Sequence, residues 1–382
     1  MVGLNAPIRS IAIIGAGISG LACARALAAR GVRITVYEKS WPPRGASWAA
    51  AGMLAPAFEA VAVAESHPEL FNLCDQSART WPNWAKKLES ETGTTSGYRP
   101  GPSLALAFTS KQVDHLRSVA DALADHAQPP QLVTSDLNQI DPCVSDQALA
   151  GLLLPTDGQA DNRATMQALL TSVQAQPLIE IKVGEAPLKS VGARLDHAGH
   201  DATLITSGWQ SGRVQVEQAG RCVPLNALDP VLSEVEPIGG QMLAVAQVSG
   251  GPRLTLRSGH VYIVPKEDRI VIGATSEPGQ VLLNSKPQQI SRLREAAIEI
   301  APVLATAPEL DSWAGTRPGL KNYAPIIGPT EIDNVFVASG HYRNGILLAP
   351  ITAEIMADMI VHRRVSELAA AFAPRSSQSE QV

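Results

Sequence analysis

Three glycines near the start of the chain have the spacing of a phosphate-binding turn. Gly15, Gly17 and Gly20 follow four apolar residues at positions 11–14 and lead into an alanine-rich helical stretch. In such a strand–turn–helix the first glycine permits the tight turn, the second lets the backbone approach a pyrophosphate, and the third lets helix and strand pack closely. Amides at the helix N-terminus then meet the phosphate charge. The chemistry indicated is the binding of a dinucleotide.

A carboxylate completes this pattern. The next predicted strand, residues 32–37, ends at Glu38, 18 residues after Gly20, and a carboxylate at roughly 20 residues' offset accepts a hydrogen bond from a ribose hydroxyl. Its negative charge repels a 2′-phosphate, so FAD or NAD is favoured over NADP. The strand, helix, second strand and terminal acid together are far more specific than the glycines alone.

The composition bounds the class of protein. The chain has 382 residues, of which 45% are hydrophobic and 18% charged, as in a soluble enzyme with room for two domains. The formal net charge is −5, and no run of lysine or arginine offers a surface for a phosphate backbone. We therefore expect a small-molecule enzyme that binds no nucleic acid.

Cysteine spacing and hydropathy give three further expectations. Cys23, Cys74, Cys143 and Cys222 lie far apart, so neither a zinc site nor a disulfide framework is indicated, and a reducing cytoplasm fits best. The most membrane-like stretch, residues 48–64, is interrupted by glycine, proline and glutamate and falls short of the roughly 18 apolar residues of a spanning helix. No metal and no membrane are expected.

A run of small residues at positions 46–56 allows two interpretations. It is either a closely packed helix, since alanine is the best helix former, or backbone pressed against something flat. The composition alone favours neither.

The strand–turn–helix pattern recurs near the other end of the chain. A buried strand at 335–338 meets the turn Ser339–Gly345 and a last helix at about 346–363. We expect both glycine turns to face one ligand. Between them, strands at 179–183, 187–191 and 202–207 are predicted to return to the first sheet, and Asp161 is predicted to cap a helix at 163–173.

Four stretches of the chain resemble the D-amino acid oxidase superfamily of flavoproteins, and within it the glycine oxidases of thiamine biosynthesis: residues 15–20, 47–54, 261–265 with 272–275, and 340–350. The resemblance implies an α/β fold. A glutathione-reductase-type FAD-binding Rossmann domain would occupy 1–92, 152–236 and 314–366. A second, α+β substrate domain on a mostly antiparallel sheet would occupy 93–151 and 237–313, and 367–382 would form a flexible tail.

The resemblance also implies FAD, bound without a covalent link, and a set of cofactor-binding residues. Beside Gly15, Gly17 and Gly20, Ile18 and Ser19 would contact the pyrophosphate, Glu38 and Lys39 the adenosine, and Ala46 and Ser47 the phosphates again. Ala51, Gly52 and Met53 would contact the isoalloxazine, and the backbone of Leu188 the adenine. The flavin ring would be contacted by His341, Tyr342, Arg343, Asn344, Gly345, Ile346 and Leu347.

For the substrate, the resemblance implies Arg317, Tyr262, His260 and Arg343. A guanidinium offers a carboxylate two parallel charge-assisted hydrogen bonds, so Arg317 is the expected carboxylate clamp and Tyr262 adds a hydroxyl. The implied reaction moves a hydride from the α-carbon of a neutral amine to flavin N5. Oxygen then yields hydrogen peroxide, and the imine is hydrolysed to glyoxylate and ammonia or passed to thiazole synthesis.

Several alternatives stay open at this stage. Ser276 stands where relatives can carry a bulkier apolar residue, and residues 221–235 have no clear counterpart, so sarcosine or small D-amino acids are alternative substrates. A dehydrogenase that reduces a quinone is another alternative. A flavin module acting on tRNA conflicts with the acidic balance, and an NAD-binding domain with a regulatory partner would contain no flavin. The resemblance alone implies that the protein is a homo-oligomer, specifically a tetramer.

Overall fold

The computed structural model describes residues 7–41, 43–62, 67–191 and 194–374. Over these residues the chain forms two large sheets, two small sheets and ten α-helices. The helices are Ile18–Ala28, Ala46–Ala49, Glu59–Ala62, Glu69–Thr92, Ser110–Ala122, Leu137–Ile140, Asn162–Gln174, Pro287–Ile300, Gly345–His362 and Glu367–Ala370.

The first large sheet is the expected nucleotide-binding sheet. Five of its six strands run parallel, with an antiparallel strand at one edge. In spatial order the strands are Ile326–Pro329, Val335–Ser339, Ala202–Ile205, Ser10–Ile14, Arg33–Glu38 and Ile179–Val183. The central strand Ser10–Ile14 is buried at every position, because helices cover one face of the sheet and the segments around Leu188, Val216 and Leu225 cover the other.

Four helices surround one face of this sheet and enclose the largest core: Ile18–Ala28, Glu69–Thr92, Asn162–Gln174 and Gly345–His362. The predicted cap is confirmed, since Asp161 Oδ1 accepts from the amides of Arg163 at 2.9 Å and Ala164 at 3.1 Å. Among the described residues one helix, Gly345–His362, is long and apolar enough to cross a bilayer, and 61% of it is buried inside the protein. The core packing accounts for its apolar composition.

The second large sheet has nine strands and is mostly antiparallel. Its strands are Glu277–Pro278, Glu236–Val245, Ile270–Gly273, Val261–Pro265, Thr255–Ser258, Ser103–Ala107, Ala150–Leu154 and Gln131–Val133 in spatial order, with Glu309–Gly319 paired to Glu236–Val245. Helix Pro287–Ile300 packs against one face. The other face carries Met242, Tyr262 and Gly273, which are opposite one another across neighbouring strands.

Two small sheets complete the fold. One pairs Met53–Leu54 with Gly158–Gln159, and the other contains Lys189–Val191, Arg194–Asp196, Gln215–Gln218 and Arg221–Pro224. The prediction that the strand near 187–191 joins the nucleotide-binding sheet was wrong, because this strand pairs with its neighbours in the four-stranded sheet. Residues 221–235 bury Leu225, Val231 and Leu232 in a core, and none of these residues lines the cavity described below.

The structure revises two other expectations. The expected domain limits at 151/152 and 313/314 fall inside strands of the nine-stranded sheet, Ala150–Leu154 and Glu309–Gly319. The expected tail from 367 is helical at Glu367–Ala370 and buries Phe372, whose carbonyl accepts from Ile327 at 2.7 Å; residues 375–382 lie outside the described part.

Candidate active site

A cavity of about 790 Å³ lies between the two large sheets, within the size range of cofactor sites. Residues of both glycine turns line it. The N-terminal turn contributes Gly15, Gly17, Ile18 and Ser19, and the C-terminal turn contributes His341, Tyr342, Arg343, Gly345 and Ile346. The two strand–turn–helix units, more than 300 residues apart in the chain, therefore open onto one space.

The three N-terminal glycines have the predicted geometry. Gly15 has a φ of +111°, which side-chain-bearing residues rarely adopt. A Cβ at Gly20 would overlap the carbonyl oxygen of Gly15 and come within 2.7 Å of Thr206 Oγ1, so this glycine sets how closely the helix approaches the sheet. A Cβ at Gly17 would meet only Ser47 Oγ, at 3.4 Å. Gly17 therefore leaves the backbone open to the cavity.

The N-terminus of helix Ile18–Ala28 fits a phosphate. The first turn of the helix has no acidic residue, and Gly17 provides no side-chain cap. The Ile18 amide donates to Ser47 Oγ at 3.0 Å, which places the Ser47 hydroxyl at the same end. Amides and the positive end of the helix dipole, with no acidic residue in the first turn, are a ready anion site.

The adenosine end is bounded by the acid at the end of the second strand. Glu38 Oε2 accepts from the Ala16 amide at 2.8 Å, and Oε1 accepts from the Ser40 amide at 3.3 Å. These bonds orient the carboxylate at the cavity wall, which Glu38 lines. Lys39 lines it too, and pairs with Glu185 at 3.0 Å with both side chains largely exposed. Ribose binding by Glu38 stays a prediction.

The small-residue run is not one continuous helix. Only Ala46–Ala49 is helical, and the chain then extends through Ala51 and Gly52 into the strand Met53–Leu54. Gly52 has a φ of +77°, and a Cβ there would overlap the carbonyl oxygen of Ala160. Ala46, Ser47 and residues 51–53 all line the cavity. The run therefore forms a cavity wall of mostly short side chains, against which a flat ring can lie.

The C-terminal turn places most of its residues on the cavity, but Asn344 and Leu347 are not among the lining residues. Asn344 is buried and precedes the helix. Leu347 points its carbonyl into the core, where it accepts from Ser77 Oγ at 2.6 Å and Trp81 Nε1 at 2.8 Å. Burial lowers the pKa of His341 to about 4, so the turn carries a neutral imidazole.

The backbone of Leu188, expected at the adenine, is committed to the protein. Its amide donates to Ala186 and its carbonyl accepts from Glu217, both at 2.9 Å. Ala186 lines the cavity and Leu188 does not. The difference arises because the chain turns away into the four-stranded sheet two residues after Ala186. Gly20 does not line the cavity either. It lies behind the turn, where it lets the helix pack closely against the sheet.

Two glycines of the nine-stranded sheet form the base of the cavity at its substrate end. A Cβ at Gly240 would overlap the guanidinium of Arg317, which therefore lies directly over this residue, and Arg317 Nη1 donates to the Thr275 carbonyl at 3.2 Å. A Cβ at Gly273 would come within 2.6 Å of Tyr262 Oη. The bare backbone gives Arg317 and Tyr262 the space to lie flat beside the cavity.

Tyr262 is a protonated donor at neutral pH. Burial raises the pKa of its hydroxyl, and the Arg317 guanidinium partly offsets this effect. The hydroxyl lies 3.3 Å from Met242 Sδ, a weak acceptor, so its proton is available to a better one. Arg317 and Tyr262 together can hold a carboxylate.

His260 and Arg343 also line the cavity, but they are held differently. His260 is exposed at a two-residue turn between the strands Thr255–Ser258 and Val261–Pro265. Arg343 donates from Nε to the buried Glu59 at 2.7 Å, which leaves its two terminal nitrogens for other partners. Both fit a role at the rim or wall of the pocket.

Arg257 and Lys266 are among the cations near the site that sequence reasoning missed. Arg257 lines the cavity beside Tyr262, and the hairpin register around Gly259 and His260 was the signal that could have found it. Lys266 is 3% exposed and donates to Gln159 Oε1 at 3.0 Å and the Ala160 carbonyl at 2.8 Å. It therefore supports the strand pair behind Gly52.

Lys266 gives a pH-dependent prediction. Burial lowers its pKa to about 7, against the opposing effect of Asp161, while in the unfolded chain it is about 10.4. Between these values the unfolded state binds more protons, so the free energy of unfolding rises with pH by up to about 1.4 kcal/mol per unit. We expect Lys266→Met to remove this contribution, as measured by guanidinium unfolding at pH 7, 8 and 9 with saturating FAD.

The exposed Lys87 on helix Glu69–Thr92 provides the control for that experiment. Lys87→Met should unfold with the wild-type slope against pH. Equal slopes in Lys266→Met and the wild type would show that Lys266 is charged in the folded protein up to high pH.

The fold and the site define an oxidoreductase of the flavoprotein type. One cavity contains a phosphate-binding helix end, a ribose-type acid, a low wall for a flat ring and a cationic end for an acidic substrate, so the residues present fit FAD. Among the described residues, no group of three or more histidine, cysteine, aspartate or glutamate side chains could hold a metal ion. The cysteines within the described ranges are free.

Comparison with known proteins gives the same class. The family model described as FAD dependent oxidoreductase matches residues 10–359. The bifunctional protein ThiO/ThiG of Trichormus variabilis is 33% identical over 95% of this chain and 54% of its own length. The glycine oxidase of Geobacillus kaustophilus is 30% identical over 93% of this chain and 94% of its own. A crystal structure of that glycine oxidase superposes with a TM-score of 0.84, 28% identity and coverage of 96% and 98%.

The chain belongs to the family of FAD-dependent oxidoreductases, and FAD is its cofactor. It spans about half the length of the bifunctional relatives that it matches.

Proposed function

We propose that this chain oxidises glycine to glyoxylate and ammonia, with oxygen as the electron acceptor. Glycine, oxygen and water would give glyoxylate, ammonia and hydrogen peroxide. The observation that carries this proposal is the position of Arg317, whose guanidinium lies over Gly240 beside Tyr262 in the cavity shared by both glycine turns. Relatives named glycine oxidase over nearly the full chain support it.

The side chains at the substrate end would work by positioning. Arg317 and Tyr262 would hold the carboxylate with charge-assisted hydrogen bonds, roughly twice as strong as neutral ones. With the carboxylate fixed, the α-carbon has few orientations left, and the reaction becomes effectively intramolecular. The substrate amine must be neutral to react. When bound, FAD would supply the hydride acceptor and the route of the electrons to oxygen.

The pocket wall sets the range of amines. Ser276 Oγ lies 3.4 Å from Tyr342 Oη, so this wall carries hydroxyls rather than a bulky apolar group. Sarcosine and small D-amino acids are therefore alternative substrates of the same site. We propose that the imine supplies thiazole synthesis in thiamine biosynthesis, because the bifunctional relatives join ThiO and ThiG in one protein. Non-covalent FAD, a cytoplasmic location and a homo-oligomeric state belong to the same proposal.

A peroxide assay across glycine, sarcosine, D-alanine and D-proline tests the function. We expect peroxide to form with glycine and at least one of the others, and kcat/KM to rank glycine or sarcosine first. Dye reduction under argon without peroxide in air would identify a dehydrogenase instead. No reaction with any of the four amines in either assay would contradict the proposal.

A further inference from the structure

Arg257 lies on the same sheet face as the proposed carboxylate clamp. It is directly opposite Tyr262 across the hairpin, and Tyr262 is opposite Gly273, which is opposite Met242. Residues directly opposite one another share a face of the sheet. Arg257 therefore flanks Tyr262 on the side away from Arg317, and it lines the same cavity.

The guanidinium of Arg257 has packing but no polar partner. It lies 3.6 Å from the centroid of the Phe58 ring. Throughout the described part of the chain no side chain or carbonyl accepts a hydrogen bond from it or forms an ion pair with it within 4.0 Å. Burial lowers its pKa to about 10, partly opposed by Asp157. An arginine stays charged at that pKa, so a half-buried cation lines the cavity with five donors unused.

The nearby acids are already engaged. Glu59 is bound to Arg343 at 2.7 Å. Asp157 is 1% exposed and accepts from the Ala57 amide at 3.3 Å and Ser103 Oγ at 3.4 Å. Burial raises the pKa of Asp157 to about 7, against the opposing effect of Arg257. Neither carboxylate takes the hydrogen-bonding capacity of Arg257.

We propose that Arg257 binds a second carboxylate of the substrate, so that the pocket accepts small amino dicarboxylates, with one carboxylate on Arg317 and the other on Arg257. This inference rests on the proposed function, since it takes Arg317 as the first anchor. For iminodiacetate the reaction balances as iminodiacetate, oxygen and water giving glyoxylate, glycine and hydrogen peroxide. The two electrons leave one C–H bond through FAD to oxygen, as for glycine.

A ligand titration tests the subsite without turnover. Oxydiacetate and methoxyacetate carry an ether oxygen in place of the reacting nitrogen and differ in one carboxylate. Flavin absorbance of the holoenzyme reports the Kd of each. We expect oxydiacetate to bind more tightly by about tenfold or more, the usual effect of one hydrogen bond to a charged group. Arg257→Gln should lower that ratio of affinities by about tenfold, and Arg257→Lys should restore part of it.

The control is Arg253→Gln, which should keep the wild-type ratio. Arg253 has an exposed side chain and lies two residues before the strand Thr255–Ser258. Equal binding of the two ligands by the wild type, or a ratio unchanged in Arg257→Gln, would overturn the inference. If Arg257→Gln fails to hold FAD, the titration of the wild type still tests the inference, because equal affinities for the two ligands would overturn it.

Turnover separates this inference from the proposed function. Peroxide from glycine and sarcosine, with kcat/KM for iminodiacetate below that for sarcosine in the wild type, would reject the Arg257 subsite and keep the oxidase. A preference for oxydiacetate without peroxide from any amine would reject the oxidase and keep the subsite.

Discussion

Arg317→Ala is expected to lower kcat/KM for glycine by about 10²- to 10³-fold, the effect of losing about 3 to 4 kcal/mol of charge-assisted hydrogen bonding. Most of the change should appear as a steep rise in KM, because a carboxylate clamp binds the substrate before and during the reaction. FAD should stay bound, since Arg317 donates to the Thr275 carbonyl from the substrate sheet. Steady-state peroxide assays and the flavin absorbance ratio measure the two effects.

Two further variants sharpen that experiment. Arg317→Lys keeps the charge but loses the planar fork, so it should fall between wild type and alanine. Arg292→Ala removes an exposed guanidinium on helix Pro287–Ile300 and should leave the kinetics unchanged. Wild-type kinetics in Arg317→Ala would remove this residue from the site.

Gly20→Ala is expected to lower the free energy of unfolding by about 3 kcal/mol, the upper range for overpacking a core. The added methyl group would overlap the Gly15 carbonyl, which is backbone and cannot rotate away. Helix Ile18–Ala28 must then move off the sheet, and the phosphate-binding turn moves with it. Guanidinium unfolding of the apoprotein and the FAD content after purification should both fall.

Two other glycines separate strain from contact. Gly31 has a φ of +82° with nothing within 4 Å of an added Cβ, so Gly31→Ala should cost only about 1 to 2 kcal/mol of left-handed strain and keep its FAD. Gly17→Ala meets only Ser47 Oγ in the protein, so it should fold normally and bind FAD more weakly. If Gly20→Ala matched Gly31→Ala in both stability and FAD content, the close approach of helix and sheet would not matter.

Local pattern was sufficient to predict the N-terminal turn and the acid that follows it, both of which lie at the cavity. Gly15, Gly17 and Gly20 perform different tasks that follow from the absence of a side chain, and the spacing to Glu38 follows from one strand–helix–strand unit. These features lie within 30 residues of each other. The recurrence of the strand–turn–helix pattern then predicted the distant C-terminal turn, whose return to the same cavity depends on strand order.

The substrate half depends on pairings between distant strands. Arg317 lies on the long strand Glu309–Gly319, which reads as a loop because it is polar and contains glycine and proline; pairing with Glu236–Val245 makes it a strand. Its guanidinium finds room only because Gly240 is bare. Arg257 was missed for the same kind of reason, since its position beside Tyr262 follows from hairpin register and not from any motif.

Leu188 shows the limit of position-by-position transfer. The family resemblance placed its backbone at the adenine, and in the structure its amide and its carbonyl are both bonded within the protein. The turn into the four-stranded sheet shifts the cavity wall to Ala186. Such a shift of two residues has no sequence signal.

Anaerobic mixing of the purified holoenzyme with glycine tests the central claim most directly. If the cationic end of the cavity holds the substrate against the flavin, the yellow colour should bleach under argon. Admitting oxygen should restore it with one hydrogen peroxide per flavin. A flavin that stays oxidised in glycine, sarcosine and D-alanine, while heat still releases FAD from the protein, would contradict the claim that this cavity oxidises small amino acids.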